Sequence, residues 1–138
     1  MALEQTLILA KPDAIRRSLA GEIVARFEQR GFRLRAARLL QVDRALAEEH
    51  YGEHQAKPFF RELVEFITSG PTLAFVLEGE GVVATARKTI GATNPADAEP
   101  GSIRGDLASA MPDNLVHGSD STESAAREIA LWFPDGLV

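Results

Sequence analysis

The chain contains no cysteine, which rules out a disulfide scaffold and agrees with a reducing compartment. No stretch approaches the roughly 18 consecutive apolar residues of a membrane span, and the N-terminus lacks a basic region followed by a long apolar run. The sequence therefore reads as soluble and untargeted, with no membrane partner and the cytoplasm as the expected compartment. A positive surplus is missing too. The formal net charge is −5, which excludes broad nucleic-acid binding by a basic face but leaves small anionic ligands open. Lysine is scarce: only Lys11, Lys57 and Lys88 stand among the 15 basic residues. Arginine thus carries most of the positive charge, as bidentate phosphate recognition favours and as genomic bias also produces. Gly-Lys-Ser/Thr occurs nowhere, so a nucleotide site cannot be a Walker-type loop, and phosphates would have to be held by side chains.

What is present, over 138 residues, fits one domain spanning 1–138 that buries roughly two-thirds of its unfolded surface. Thr6 to Ala10 is an almost wholly apolar run stopped by Lys11-Pro12-Asp13, which predicts a central strand with Lys11 at its carboxyl end. Ile23, Val24 and Phe27 have helical spacing from about Ala20 to Arg30, with Gly31 as the stop. Alternation around Phe32, Leu34 and Ala36 predicts a second strand toward Val42. Asp43 can cap a helix through Ala47 and Tyr51, and Pro58 opens another in which Phe59, Leu63, Phe66 and Ile67 share a face. Thr72 to Leu77 reads as the third strand. The following helix aligns Val83, Ala86, Arg87 and Ile90, so an arginine interrupts a buried stripe. From Gly91 to Asp113 periodicity is weak, as in a long functional connection.

Leu115 and Val116 then read as a short buried strand, Gly118 as a sharp exit, and Ser119, Asp120 and Ser121 as alternative caps of a last helix. That helix would bury Ala125, Ile129, Trp132 and Phe133, with Glu128 on the flank of the stripe. His117 stands at the strand end, where Glu128 can point back toward it. A neutral imidazole can attack phosphorus without a separate base, and a neighbouring carboxylate would fix its tautomer. The plainer alternative is a histidine that only ends a strand. The element order predicts an α+β, ferredoxin-like sandwich: a four-stranded, mainly antiparallel sheet with helices clustered on one face.

Two other patterns compete for function. Gly79-Glu80-Gly81-Val82-Val83-Ala84 follows a strand and opens a helix like a dinucleotide fingerprint, but Glu78 and Glu80 put carboxylates where a pyrophosphate should sit. His50-Tyr51-Gly52-Glu53-His54 matches the H-x-x-E-H zinc peptidase pattern, though Gly52 weakens the helix that both ligands require.

Five segments in order decide among these readings: Lys11-Pro12-Asp13-Ala14, Lys57-Pro58-Phe59-Phe60, Gly91-Ala92-Thr93-Asn94-Pro95, Ile103-Arg104-Gly105-Asp106 and Asn114-Leu115-Val116-His117-Gly118-Ser119-Asp120. In order and spacing the chain closely resembles the nucleoside diphosphate kinase family over nearly its whole length. That resemblance implies a ping-pong exchange in which His117 takes the γ-phosphoryl of a nucleoside triphosphate and passes it to a diphosphate, with little selectivity among bases. It further implies that Arg87, Thr93 and Arg104 hold phosphates, with Mg²⁺ bridging them rather than sitting in a protein cage. Lys11 and Asn114 would reach the sugar hydroxyl and phosphates. Tyr51 would bond near the histidine, Glu128 and Ser119 would support it, and Phe59, Leu63 and Met111 would enclose the base. The resemblance implies a homo-oligomer, for which the apolar tail from Trp132 to Val138 is one available contact. One segment departs from the family's pattern: Met111-Pro112-Asp113 replaces a small aliphatic, Gly and Arg, which alters the base wall rather than the chemistry. The alternative from another class is a non-catalytic ferredoxin-like module that binds nucleotides or partners.

Overall fold

Ile8 and Leu9 are neighbours in the chain, both are fully buried, and they belong to two different cores. Successive side chains of a strand point to opposite faces, so both faces of the sheet are covered. A computed structural model of the chain describes residues 2–138. Its strands are β1 (Leu3–Ala10), β2 (Arg33–Gln41), β3 (Pro71–Glu80) and β4 (Val116–Gly118). The sheet order is β2-β3-β1-β4 and all three pairings are antiparallel, the ferredoxin-like arrangement. Around it lie α1 (Pro12–Arg16), α2 (Ala20–Gln29), α3 (Arg44–His50), α4 (Phe60–Ile67), α5 (Val82–Ile90), α6 (Ile103–Leu107) and α7 (Thr122–Trp132).

One core joins Ile8, Ala10, Phe75 and Leu77 of the sheet to Ile23 and Phe27 of α2 and Val82, Ala86 and Ile90 of α5. The other joins Leu7, Leu9, Ala74 and Val76 to Ala47 of α3, Val64 and Ile67 of α4, and Trp132 of α7. The expected clustering of helices on one face is therefore corrected. The unbroken apolar run of β1 has no polar alternation because neither side meets water. Edge strand β2 has no such cover, and its bulge between Leu34 and Ala36 explains why its alternation falls out of phase.

Several boundaries move for physical reasons. The 91–113 connection contains α6, capped by Ser102, whose hydroxyl accepts the Gly105 N–H. A side chain at Gly105 would collide with the Glu99 carbonyl, 1.9 Å away. Leu115 lies outside β4, and Gly118 lies inside it rather than forming an exit. On α4 the buried residues are Val64 and Ile67, while Phe59 is exposed and Leu63 and Phe66 are half-buried. Likewise Glu128, not Ile129, is buried with Ala125 and Trp132 on α7. The tail is also no free patch: Trp132 is core, and Phe133 and Leu137 pack against it.

The two-sided sheet has a direct consequence for stability. Ile8→Ala and Leu9→Ala should each cost about 2–5 kcal/mol in urea unfolding, because each opens a cavity in a separate core. If one of the pair proved neutral, that face of β1 could not be packed as described.

Candidate active site

The site begins with a backbone constraint just before β4. Leu115 has φ of 70°, a left-handed conformation unusual for a branched apolar residue. Both of its peptide groups are gripped. Its N–H donates to Asp13 Oδ2 at 2.9 Å, and its carbonyl accepts the Lys11 N–H at 2.9 Å. Pro12 at the first position of α1 aims that turn back at the strand end. The grip brings Lys11 onto Asn114: Nζ donates to Oδ1 at 2.6 Å, and Asn114 Nδ2 donates to the Thr93 carbonyl at 3.0 Å.

Beyond Leu115 the chain enters β4, where His117 pairs opposite Leu9. A guanidinium binds the carbonyl on each side of the histidine. Arg104 Nη2 donates to Val116 O at 2.5 Å and Arg87 Nη1 to Gly118 O at 3.2 Å. Arg104 is 7% exposed, and it also donates to Asn114 O at 3.1 Å and Gly91 O at 3.2 Å. These bonds use three of its five donors and fix the plane of the other two. Arg87 is half-exposed and pairs with Asp120. A side chain at Gly118 would require the Ile90 tip to shift, since Ile90 Cδ1 lies 2.6 Å from where its Cβ would be. That close approach seats β4 on α5 and carries Arg87 to the histidine.

His117 is 21% exposed, and its Nε2 lies 2.9 Å from Glu128 Oε1. Ser119 Oγ donates to the same oxygen at 2.8 Å and accepts the Leu7 N–H at 3.1 Å, so the carboxylate is anchored to β1. Burial acts to raise the Glu128 pKa, but the bonds from His117 and Ser119 with the nearby imidazoles outweigh it, and the pKa lies below the ordinary value. An ionised Glu128 holds the hydrogen on Nε2 and leaves the Nδ1 lone pair free. Lys11 shifts downward to about 8, chiefly by burial, with Asp13 opposing, Arg104 assisting and Asp113 opposing. Burial lowers Arg104 to about 10, with Arg87 adding to the shift and Asp13 opposing it. Burial, with Glu128, raises the Tyr51 phenol well above its usual range, so it remains a neutral donor.

These groups line one cleft of about 650 Å³. Its wall includes Lys11, Tyr51, Phe59, Leu63, Arg87, Thr93, Arg104, Met111, Asn114, His117 and Glu128, which are all the expected site residues except Ser119, buried behind Glu128. Phe59 and Met111 are exposed at the mouth. Pro112 also lines the cleft, and Asp113 acts on Lys11. The competing patterns dissolve. α3 ends at His50 and the chain turns into a tighter helix over Gly52–His54, so His54 stacks near Phe59 instead of standing one turn from His50. Gly79 lies in β3 because the Phe32 ring occupies the space of its side chain, 2.7 Å away. Sequence reasoning gave His50 only the competing zinc pattern and Asp120 only a candidate cap, and it assigned Asp13 and Arg127 no part in the site. Asp13 lay within a recognised segment. Arg127, which bonds the carbonyls of Glu49 and His50, had no local signal.

A family model described as nucleoside diphosphate kinase matches residues 4–138. The chain belongs to the nucleoside diphosphate kinase family. It is 59% identical over 136 residues to Nucleoside diphosphate kinase 1 of Spinacia oleracea, covering 99% of this chain and 92% of that protein. With the nucleoside diphosphate kinase of Thermus thermophilus it shares 58% over 137 residues, 99% of this chain and all 100% of the other. Its fold superposes with a TM-score of 0.95 on the structure of a halophilic nucleoside diphosphate kinase from Halobacterium salinarum in complex with CDP, at 46% identity, covering 99% of this chain and 92% of that one. The activity is accordingly that of a phosphotransferase, moving the γ-phosphoryl of a nucleoside triphosphate to a nucleoside diphosphate. Its substrates are nucleotides, handled by this kinase family together with a divalent cation. Among the described residues no helix is long and apolar enough to cross a membrane.

A nucleoside diphosphate kinase cleft with Lys11 near 8 loses a cation in mildly alkaline solution. A bound phosphate raises that pKa, so binding takes up a proton above it and affinity falls with rising pH. Nucleotide titrations by calorimetry should show weaker binding at pH of about 9.5 than at about 7.5. Equal affinity at both would remove the Lys11 charge from phosphate binding.

Proposed function

We propose that His117 Nδ1 is the phosphoryl acceptor of a ping-pong exchange and that the whole chain acts as one kinase domain. What carries this reading is the arrangement around His117: Nε2 committed to Glu128 at 2.9 Å, and two guanidiniums on the flanking carbonyls. The Nδ1 lone pair forms a bond to the γ-phosphorus as the bond to the β–γ bridging oxygen breaks. That oxygen keeps the electron pair, and the diphosphate leaves. In the second half a terminal oxygen of another diphosphate attacks the same phosphorus and the nitrogen–phosphorus bond breaks. A phosphohistidine keeps a high transfer potential, so both halves can be nearly balanced.

Phosphoryl transfer asks for alignment and charge neutralisation. Arg87, Arg104 and Thr93 meet the phosphates, Lys11 and Asn114 the phosphates and sugar, and Tyr51 donates near the histidine. Glu128 and Ser119 hold the ring. Among the described residues the one group of three histidine or acidic ligands is His50, His117 and Glu128, already joined by its own contacts. The cleft also carries Glu53, Glu62 and Asp120 beside Lys11, Arg87, Arg104 and Arg127, but among the described residues no second group of three stands close enough to cage an ion. Mg²⁺ therefore fits as a partner of the substrate phosphates, and when bound it supplies charge neutralisation there. Phe59 with Leu63 and Met111 encloses the base. A base read by its flat face at an exposed mouth is read without an edge code, which supports broad base specificity. The outer edge of β2 pairs with no further strand, although the Val138 N–H donates to the Arg35 carbonyl, and with Leu34 and Leu39 exposed it supports assembly as a homo-oligomer. A chain without cysteine suits a reducing compartment, and the cytoplasm is the proposed one.

Incubation with γ-labelled ATP and no acceptor should leave acid-labile, alkali-stable label on the protein, released by added diphosphate and missing in His117→Ala. Label retained in that variant would move the acceptor elsewhere. Arg87→Ala should slow label transfer on the order of tenfold or more, as loss of a charge-assisted contact does, and an unchanged rate in rapid-quench assays would take Arg87 out of the site.

A further inference from the structure

His50 ends α3 and is only 4% exposed, a buried imidazole beside the acceptor. Its ring centroid lies 4.8 Å from that of His117 with the planes at 79°, and 5.5 Å from Trp132 at 86°. On another side it meets the Tyr51 ring at 4.7 Å. The fully buried Trp132 donates its Nε1–H to His50 Nδ1 at 3.1 Å. An indole nitrogen can only donate, so Nδ1 must present its lone pair, and the hydrogen of neutral His50 sits on Nε2. Protonating the ring would set one N–H against another in a dry interior.

The charges around His50 come from every element packed on it: His117 on β4, Glu128 and Arg127 on α7, and Lys11 after β1. Burial foremost, then His117, push its pKa down to about 3, with Glu128 opposing and Arg127 and Lys11 adding to the fall. Side-chain ligand atoms of His50, His117 and Glu128 lie within 4.8 Å of one another, a spacing suggestive of a metal. Yet the single lone pair of neutral His50 is already spent on Trp132, so ligation would require breaking that bond. The cluster fits a different task. A charged His50 would compete with His117 for the Glu128 carboxylate, whereas a neutral ring set edge-on against His117 limits its rotation.

We propose that His50, locked as its Nε2–H tautomer by Trp132, is a positioning residue that fixes the ring of His117 and leaves the Glu128 oxygen to His117 and Ser119. This rests on His117 being the phosphoryl acceptor and extends the support of that ring to a third side. Trp132, at the end of α7, thereby becomes part of the reaction geometry although it touches no substrate.

The test begins with the intact wild-type protein. Nitrogen-resolved NMR of the side chains should show His50 as the Nε2–H tautomer, without titration down to pH of about 4. In Trp132→Phe, which keeps an aromatic ring but removes the donor, His50 should populate the Nδ1–H tautomer as well, and single-turnover labelling of His117 should slow relative to wild type. His50→Asn keeps an acceptor for Trp132 but lacks the ring. Its single-turnover labelling by γ-labelled ATP should fall on the order of tenfold while nucleotide affinity stays within about twofold, as expected for lost alignment. A wild-type His50 that is Nδ1–H or titrates near 6.5, a His50 unaltered by Trp132→Phe, or an undiminished labelling rate in His50→Asn would each overturn the proposal. Wild-type protein that takes no label at all would instead overturn the assignment of His117 as acceptor.

Discussion

The clamp on Leu115 is the constraint on which the rest of the site depends. Two groups just beyond β1, the Lys11 amide and the Asp13 carboxylate of α1, hold a residue whose backbone would not choose that conformation. Local strain of this kind survives only where surrounding structure over-determines it. Here β1 is buried on both faces, so it supplies a fixed reference. One buried strand thus sets Lys11 and the turn that delivers Asn114, and by pairing it sets His117 as well.

The cations are held by main-chain carbonyls more than by carboxylates. Arg104 meets three carbonyls, and Arg87 meets one besides its pair with Asp120. Carbonyls orient a guanidinium without cancelling its charge, so the field survives for a phosphate. Preorganised charge of this type needs no reorganisation during transfer. Glu128 bonds Ser119 and His117 through one oxygen, while Arg127 approaches the other at 3.9 Å.

The strands and the principal helices were legible because their signals are local, while the cleft wall was named through the family resemblance that short segments carry. Apolar runs, caps such as Asp43 and the short segments around Lys11, Thr93 and Arg104 each lie within a few residues of one another. What escaped depends on contacts between distant elements. The two-sided cover of the sheet leaves no trace in β1 except missing alternation, which a strand covered on one face by helices and on the other by anything else would share. His50 was linked to His54 by spacing, yet its actual partners, Trp132 and His117, stand far along the chain. Helical spacing put Phe59 and Leu63 on one face with Phe66 and Ile67, but a ligand-facing apolar surface and a core-facing one look alike in sequence, and only the resemblance assigned the first two to the base.

Lys11 and Arg104 remain buried with lowered pKa values before any substrate arrives. Keeping them dry and unneutralised is unfavourable, and the fold bears that burden in its resting form. On the proposed reading an incoming polyphosphate would relieve it, which would couple occupancy to folding. Cells rich in nucleotides would hold this protein in its sturdier state, and depletion would loosen it first around the segments that converge on the cleft.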